Sequence, residues 1–113
     1  LGGTVNTDYQ FTWGDDTISQ LSSYHTDKSI LSVDGVSMDS GMTTYYHQER
    51  KIASGMIDNS NLTIITADYT KIGRAALSKI SSACRPDYLV TNTNAPKEEI
   101  DGLIELGIKV LLV

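Results

Sequence analysis

Leu62 to Ala67 reads "LTIITA", and no other stretch constrains the fold as much. β-Branched residues dominate it without clean alternation of apolar and polar positions, which predicts a strand buried on both faces. Such strands belong to parallel sheets covered by helices. "SILSV" from Ser29 to Val33, "DYLVT" from Asp87 to Thr91 and "IKVLLV" from Ile108 to Val113 read as its companions. Between the last two, Pro96 starts a helix with Ile100, Leu103 and Ile104 at helical spacing, and Gly107 closes it. That segment is a β-α-β unit. Strands alternating with helices in this way predict the α/β class, a mostly parallel sheet flanked by helices and joined by right-handed crossovers.

The rest of the chain is read with less definition. "YQFTW" from Tyr9 to Trp13 alternates and predicts a half-buried strand with its three aromatics on one face, ended by Gly14. Asp15 and Asp16 then suit the positive end of a short helix through Ile18 and Leu21, reaching to about Tyr24. Leu1-Gly2-Gly3 looks like the end of a strand running into a loop, so the chain is expected to be a piece of something longer. "KIGRAALSKISSACRP" is left irregular, with a possible short strand between Ala75 and Ile80.

Length and charge narrow the classes. With 113 residues the chain suits one domain with its own core. A formal charge of -5 opposes binding of a phosphate backbone by this piece, and no apolar run nears the roughly 20 residues a membrane span needs. The single cysteine, Cys84, allows no internal disulfide, and no signal segment opens the chain, so a cytoplasmic location is the default expectation. His25 and His47 lack metal-ligand spacing, and Cys84 has no evident base. Neither a metal, a cofactor nor a catalytic nucleophile is expected.

Chemistry concentrates between residues 32 and 50, "SVDGVSMDSGMTTYYHQER". Glu49, Ile52, Ala53 and Met56 fall at i, i+3, i+4 and i+7 of a helix, so a carboxylate shares the core-facing stripe. Two readings stand: Glu49 stabilises the helix dipole from its first turn, or it faces a cleft and takes hydrogen bonds from a ligand's hydroxyls. Asp34-Gly35 follows a strand, where it is either an ordinary turn or part of a ligand site at the sheet's C-terminal edge. Gly41-Met42-Thr43-Thr44 leads toward the helix and is either a capping sequence or an anion-binding turn. "ADYTKIGR" brings Asp68 and Lys71 to the same edge if the strands are parallel. The candidate site is therefore Asp34, Gly35, Gly41, Thr43, Thr44, Glu49, Asp68 and Lys71, a set suited to a small, hydroxylated, anionic ligand.

These motifs, in this order, resemble the C-terminal sensor domain of DeoR-type transcriptional repressors, the glycerol-3-phosphate and sugar-operon regulators. The matching residues are Asp27-Lys28, Val33-Asp34-Gly35, Gly41 to Thr44, Glu49 and Ala67-Asp68-Tyr69-Thr70-Lys71-Ile72-Gly73-Arg74, with Leu1-Gly2-Gly3 and Gly14 also fitting. The resemblance implies a Rossmann-like fold shared with ribose-5-phosphate isomerase, glucosamine-6-phosphate deaminase and CoA transferases. It also implies a phosphorylated sugar or related metabolite as effector, bound by a homo-oligomer with no membrane contact. Residues 1–113 would then be the sensor domain, with a winged helix-turn-helix for operator DNA and a first strand and loop of the sensor lying upstream.

A sugar-phosphate isomerase or deaminase fragment is the alternative, and a purely structural oligomerisation domain the third reading. The isomerase relatives carry a second Asp where this chain has Ser37, and a loop lysine where it has Met42 to Thr44. Proton transfer by Glu49 would thus lack its partner acid and its lysine, which favours sensing without turnover. Ala53 also replaces a Lys that often follows the helical Glu in the regulators.

Overall fold

The computed structural model describes residues 1–113. The chain begins with β1 (Thr4–Asn6), β2 (Phe11–Trp13), α1 (Asp15–Ser22) and β3 (Thr26–Ser32), followed by β4 (Gly35–Ser37), β5 (Gly41–Thr44) and α2 (His47–Asp58). β6 (Ser60–Thr66), a 3₁₀ turn (Tyr69–Lys71), β7 (Ser78–Ser81), β8 (Tyr88–Thr91), α3 (Lys97–Glu105) and β9 (Lys109–Leu112) complete it. The four apolar runs all form strands, and they pair in parallel in the order β3-β6-β8-β9. The predicted β-α-β unit is present as β8, α3 and β9, with Gly107 at φ 98 just past the helix.

Because strand order rises steadily with chain order, successive right-handed crossovers fall on one face of the sheet. Burial follows that asymmetry. Leu31, Ile65 and Leu89 share one register row and are buried in a single cluster with Ala53 and Ile57 of α2 and Ile100 and Leu103 of α3. Full burial of a side chain such as Ile65 or Leu89 contributes about 1.5–3 kcal/mol. The neighbouring row, Ile30, Ile64, Tyr88 and Lys109, faces the other way. Ile30 is 63% exposed there, and the Lys109 ammonium lies 5.3 Å from the centre of the Tyr88 ring. The expectation of a sheet flanked on both faces is thereby corrected: these helices cover one face, and "LTIITA" is fully buried only at Thr63 and Ile65.

Residues 35 to 44 depart furthest from the sequence reading. They form an antiparallel hairpin, β4 with β5, and β7 adds to the other side of β5. Gly41 makes this possible: its φ is 75, and a Cβ there would stand 2.2 Å from the Ser81 carbonyl oxygen. Gly35 is equally confined, since a Cβ would lie 2.6 Å from the Arg74 carbonyl oxygen. The segment left irregular around Ala75 to Ile80 supplies β7, an edge strand too short to show a period. No helix is long and apolar enough to cross a membrane.

At the N-terminus, Thr4 to Asn6 pairs with Phe11 to Trp13, so a strand follows Leu1-Gly2-Gly3 where the sequence suggested one ending there. Tyr9 lies in the connecting turn, 58% exposed, and not in the expected strand. The fully buried Thr17 of α1 ties this hairpin down by donating to the Gly2 carbonyl at 2.7 Å.

Candidate functional site

Parallel strands end together, and their unpaired C-terminal edge is where open α/β sheets hold ligands. Here the ends of β3, β6 and β8 open into a cleft of about 440 Å³. Asp34 follows β3, Asp68 and Lys71 follow β6, and Thr91 and Asn92 end β8, while Glu49 reaches the cleft from the first turns of α2. Three carboxylates and one ammonium thus share the lining.

Thr44 organises the β3 side. Its hydroxyl lies 3.0 Å from Asp34 Oδ2 and 2.7 Å from Glu49 Oε2, and it accepts the Tyr46 N–H at 3.3 Å. Asp34 Oδ2 also accepts the Tyr45 N–H at 3.0 Å. One hydroxyl hydrogen serves two carboxylates, so this wall has acceptor capacity to spare. The stripe on α2 explains the aim of Glu49: Ala53 and Ile57 are buried, and Glu49 continues their side of the helix up to the cleft.

The β6 and β8 side is built differently. Asp68 caps the 3₁₀ turn, its Oδ1 accepting the Thr70 hydroxyl and, at 2.8 Å, the Thr70 N–H. Those bonds hold its carboxyl below the usual range, with the Lys71 charge adding a smaller push. Asn92 Oδ1 accepts the Tyr69 N–H at 3.0 Å and fastens the turn to β8. Lys71 takes part in neither ion pair of the chain, which are Arg85 with Asp58 and Lys97 with Asp101. Tyr46, at the start of α2, is pushed up to about 12 by hydrogen bonding to the Tyr9 side chain, with the Asp34 and Glu49 charges contributing.

Of the eight residues singled out from the sequence, the structure brings Asp34, Glu49, Asp68 and Lys71 to the cleft, with Thr44 bonded to two of them. Gly35, Gly41 and Thr43 do not line it. Gly41 to Thr44, read as either a helix cap or an anion-binding turn, is neither: it is a buried central strand whose backbone is engaged by β4 and β7. Thr43 is occupied within that sheet, its hydroxyl donating to the Gly35 carbonyl and accepting the Ala76 N–H at 2.8 Å. α2 instead begins after Tyr46, with no side-chain cap. Ser37 is buried and accepts the Ser40 N–H at 3.0 Å. Sequence reasoning missed Thr91 and Asn92. The signal available was their place directly after "DYLV", at the same edge as Asp34 and Asp68.

A model of the DeoR C terminal sensor domain family matches residues 1–93. A protein of Escherichia coli O157:H7, provisionally named an aga operon transcriptional repressor, is 29% identical over 99% of this chain and 42% of its own length. The HTH-type transcriptional repressor GlcR of Bacillus subtilis is also 29% identical, over 99% of this chain and 43% of its own length. The glycerol-3-phosphate regulon repressor of Haemophilus influenzae is 25% identical over 88% of this chain and 38% of its own length. The chain thus spans about two fifths of the length of these curated relatives.

Proposed function

The chain belongs to the DeoR C terminal sensor domain family, and from that premise we propose that it is the effector-binding part of a transcriptional repressor of sugar metabolism, responding to a phosphorylated sugar or related metabolite. The observation that carries this reading is the cleft at the sheet's C-terminal edge, which Asp34 and Glu49 line together with Lys71 and Asp68. Carboxylates accept hydrogen bonds from sugar hydroxyls, and a lysine free of ion pairs suits an anionic group. The relatives named as repressors of the aga operon and the glycerol-3-phosphate regulon support a carbohydrate-derived ligand. Kinship with the ribose-5-phosphate isomerase fold belongs to the same proposal, supported by the parallel sheet and its edge cleft.

In this reading operator DNA is bound by a separate winged helix-turn-helix of the same protein. That division agrees with the net charge of -5 and with the relatives' greater length. Ligand biases a homo-oligomer by binding one arrangement better than another. Turnover is not part of this reading: Ser37 stands where the resembled isomerases carry their second acid, and it is turned into the hairpin.

A thermal-shift screen with ribose 5-phosphate, glucose 6-phosphate and glycerol 3-phosphate tests the proposal. At about 100 times the dissociation constant, a true effector stabilises the protein by roughly 2.7 kcal/mol. Absence of a shift with every phosphorylated metabolite, or conversion of one into product, would overturn it.

A further inference from the structure

The two sides of the cleft differ in what they lack. At the β3 side, Asp34 and Glu49 share one hydroxyl hydrogen from Thr44, leaving acceptors in excess. At the β8 side, beyond the Asp68 carboxylate that caps the turn, the excess is in donors. Asn92 uses its carbonyl oxygen on the Tyr69 N–H, which fixes its orientation and leaves both amide hydrogens unbonded. Thr91 is 2% exposed, and its hydroxyl is the one buried side-chain polar atom without a hydrogen-bond partner. Lys71, held nearby by the turn that Asn92 anchors, adds a third unpaired donor. β6 lies between β3 and β8, so Asp34 and Asn92 stand two strand spacings, about 10 Å, apart, with the turn that bears Lys71 following the strand between them.

Resting on the sugar-phosphate reading above, we infer that the cleft is polarised and fixes the direction of its ligand. Hydroxyls of the ligand donate to Asp34 and Glu49, and its oxyanion accepts from Lys71, Asn92 and Thr91. Asn92 is the specificity-determining residue of the donor side. A neutral amide there adds hydrogens without adding charge, which matters because the lining already holds three carboxylates against one ammonium.

Asn92→Asp tests this sharply, because a carboxylate keeps an acceptor for the Tyr69 N–H while removing both donors and adding a negative charge. Titration calorimetry would compare ribose 5-phosphate, glucose 6-phosphate and glycerol 3-phosphate with ribose, glucose and glycerol on the wild type, Asn92→Asp, Thr91→Val and Asp34→Asn. Asn92→Asp is expected to weaken the bound phosphate ester roughly 10- to 100-fold and its unphosphorylated parent less than threefold. Thr91→Val should weaken the ester about three- to tenfold without lowering the melting temperature, since it removes a buried hydroxyl that has no partner. Asp34→Asn should weaken ester and parent alike. If the ester binds the wild type but Asn92→Asp changes ester and parent equally, or changes neither, the polarity inference fails and the sensor reading stands. Failure of every probe to bind the wild type overturns the sensor reading and this inference with it.

Discussion

The β3 side of the cleft is assembled by side chains that bond one another, whereas the β6 and β8 side presents groups held mainly by backbone. On the first, Thr44 joins Asp34 to Glu49, and β5 carries Thr44 into place. On the second, Asp68 and Asn92 bond backbone amides and so hold the 3₁₀ turn that bears Lys71. The difference teaches that lining the same cleft does not mean equal structural role. Substitutions on the β3 side should change folding and binding together, and substitution of Lys71 itself should change binding alone.

Gly41→Ala should produce the largest effect, because it forces an L side chain into a positive φ and against the Ser81 carbonyl. We expect a loss of about 2–4 kcal/mol in urea unfolding, even though Gly41 does not line the cleft. Lys71→Ala comes next and separates the two sides most cleanly. Unliganded stability should stay within about 0.5 kcal/mol, while ligand-induced stabilisation falls by roughly 1.5–3 kcal/mol. Equal losses in both measurements would erase the contrast. Thr44 is 1% exposed, and Thr44→Val removes its hydroxyl from between two carboxylates, which should cost about 1–2 kcal/mol of unliganded stability as well as weakening ligand binding. Thr44→Ser should recover most of both.

The smallest effect concerns Asp68. Its carboxyl is lowered by the Thr70 hydroxyl and amide, so its contribution is present above the ordinary carboxylate pKa and lost as pH falls through the lowered value. A plot of melting temperature against pH should therefore show a slight, constant difference between wild type and Asp68→Asn above the ordinary carboxylate pKa, closing as the pH falls through the lowered value. A difference that grows toward alkaline pH would contradict the capping role.

Strand positions were legible because parallel strands leave long apolar runs, as in "LTIITA" and "IKVLLV". Their order, and hence the open face bearing Ile30, was not, since nothing local in a strand records its neighbours. Glu49, Asp34, Asp68 and Lys71 could be placed at one edge from helical spacing and strand ends alone. Gly41 to Thr44 misled because glycine and threonine before a helix serve equally as cap, turn or buried strand, and only pairing with β4 and β7 decides among them. Thr91 and Asn92 carried no charge to draw notice. Their importance lies in unpaired donors, a property of three-dimensional bonding and not of residue type.

Amide chemical-shift mapping of the protein during titration with a stabilising sugar phosphate would test the central claim most directly. The account predicts that the largest changes fall on Asp34, Tyr45, Glu49, Lys71 and Asn92, with the amides of Gly41 and Thr43 moving less. Changes centred on another surface, or spread evenly over the chain, would contradict a ligand bound at the sheet's C-terminal edge.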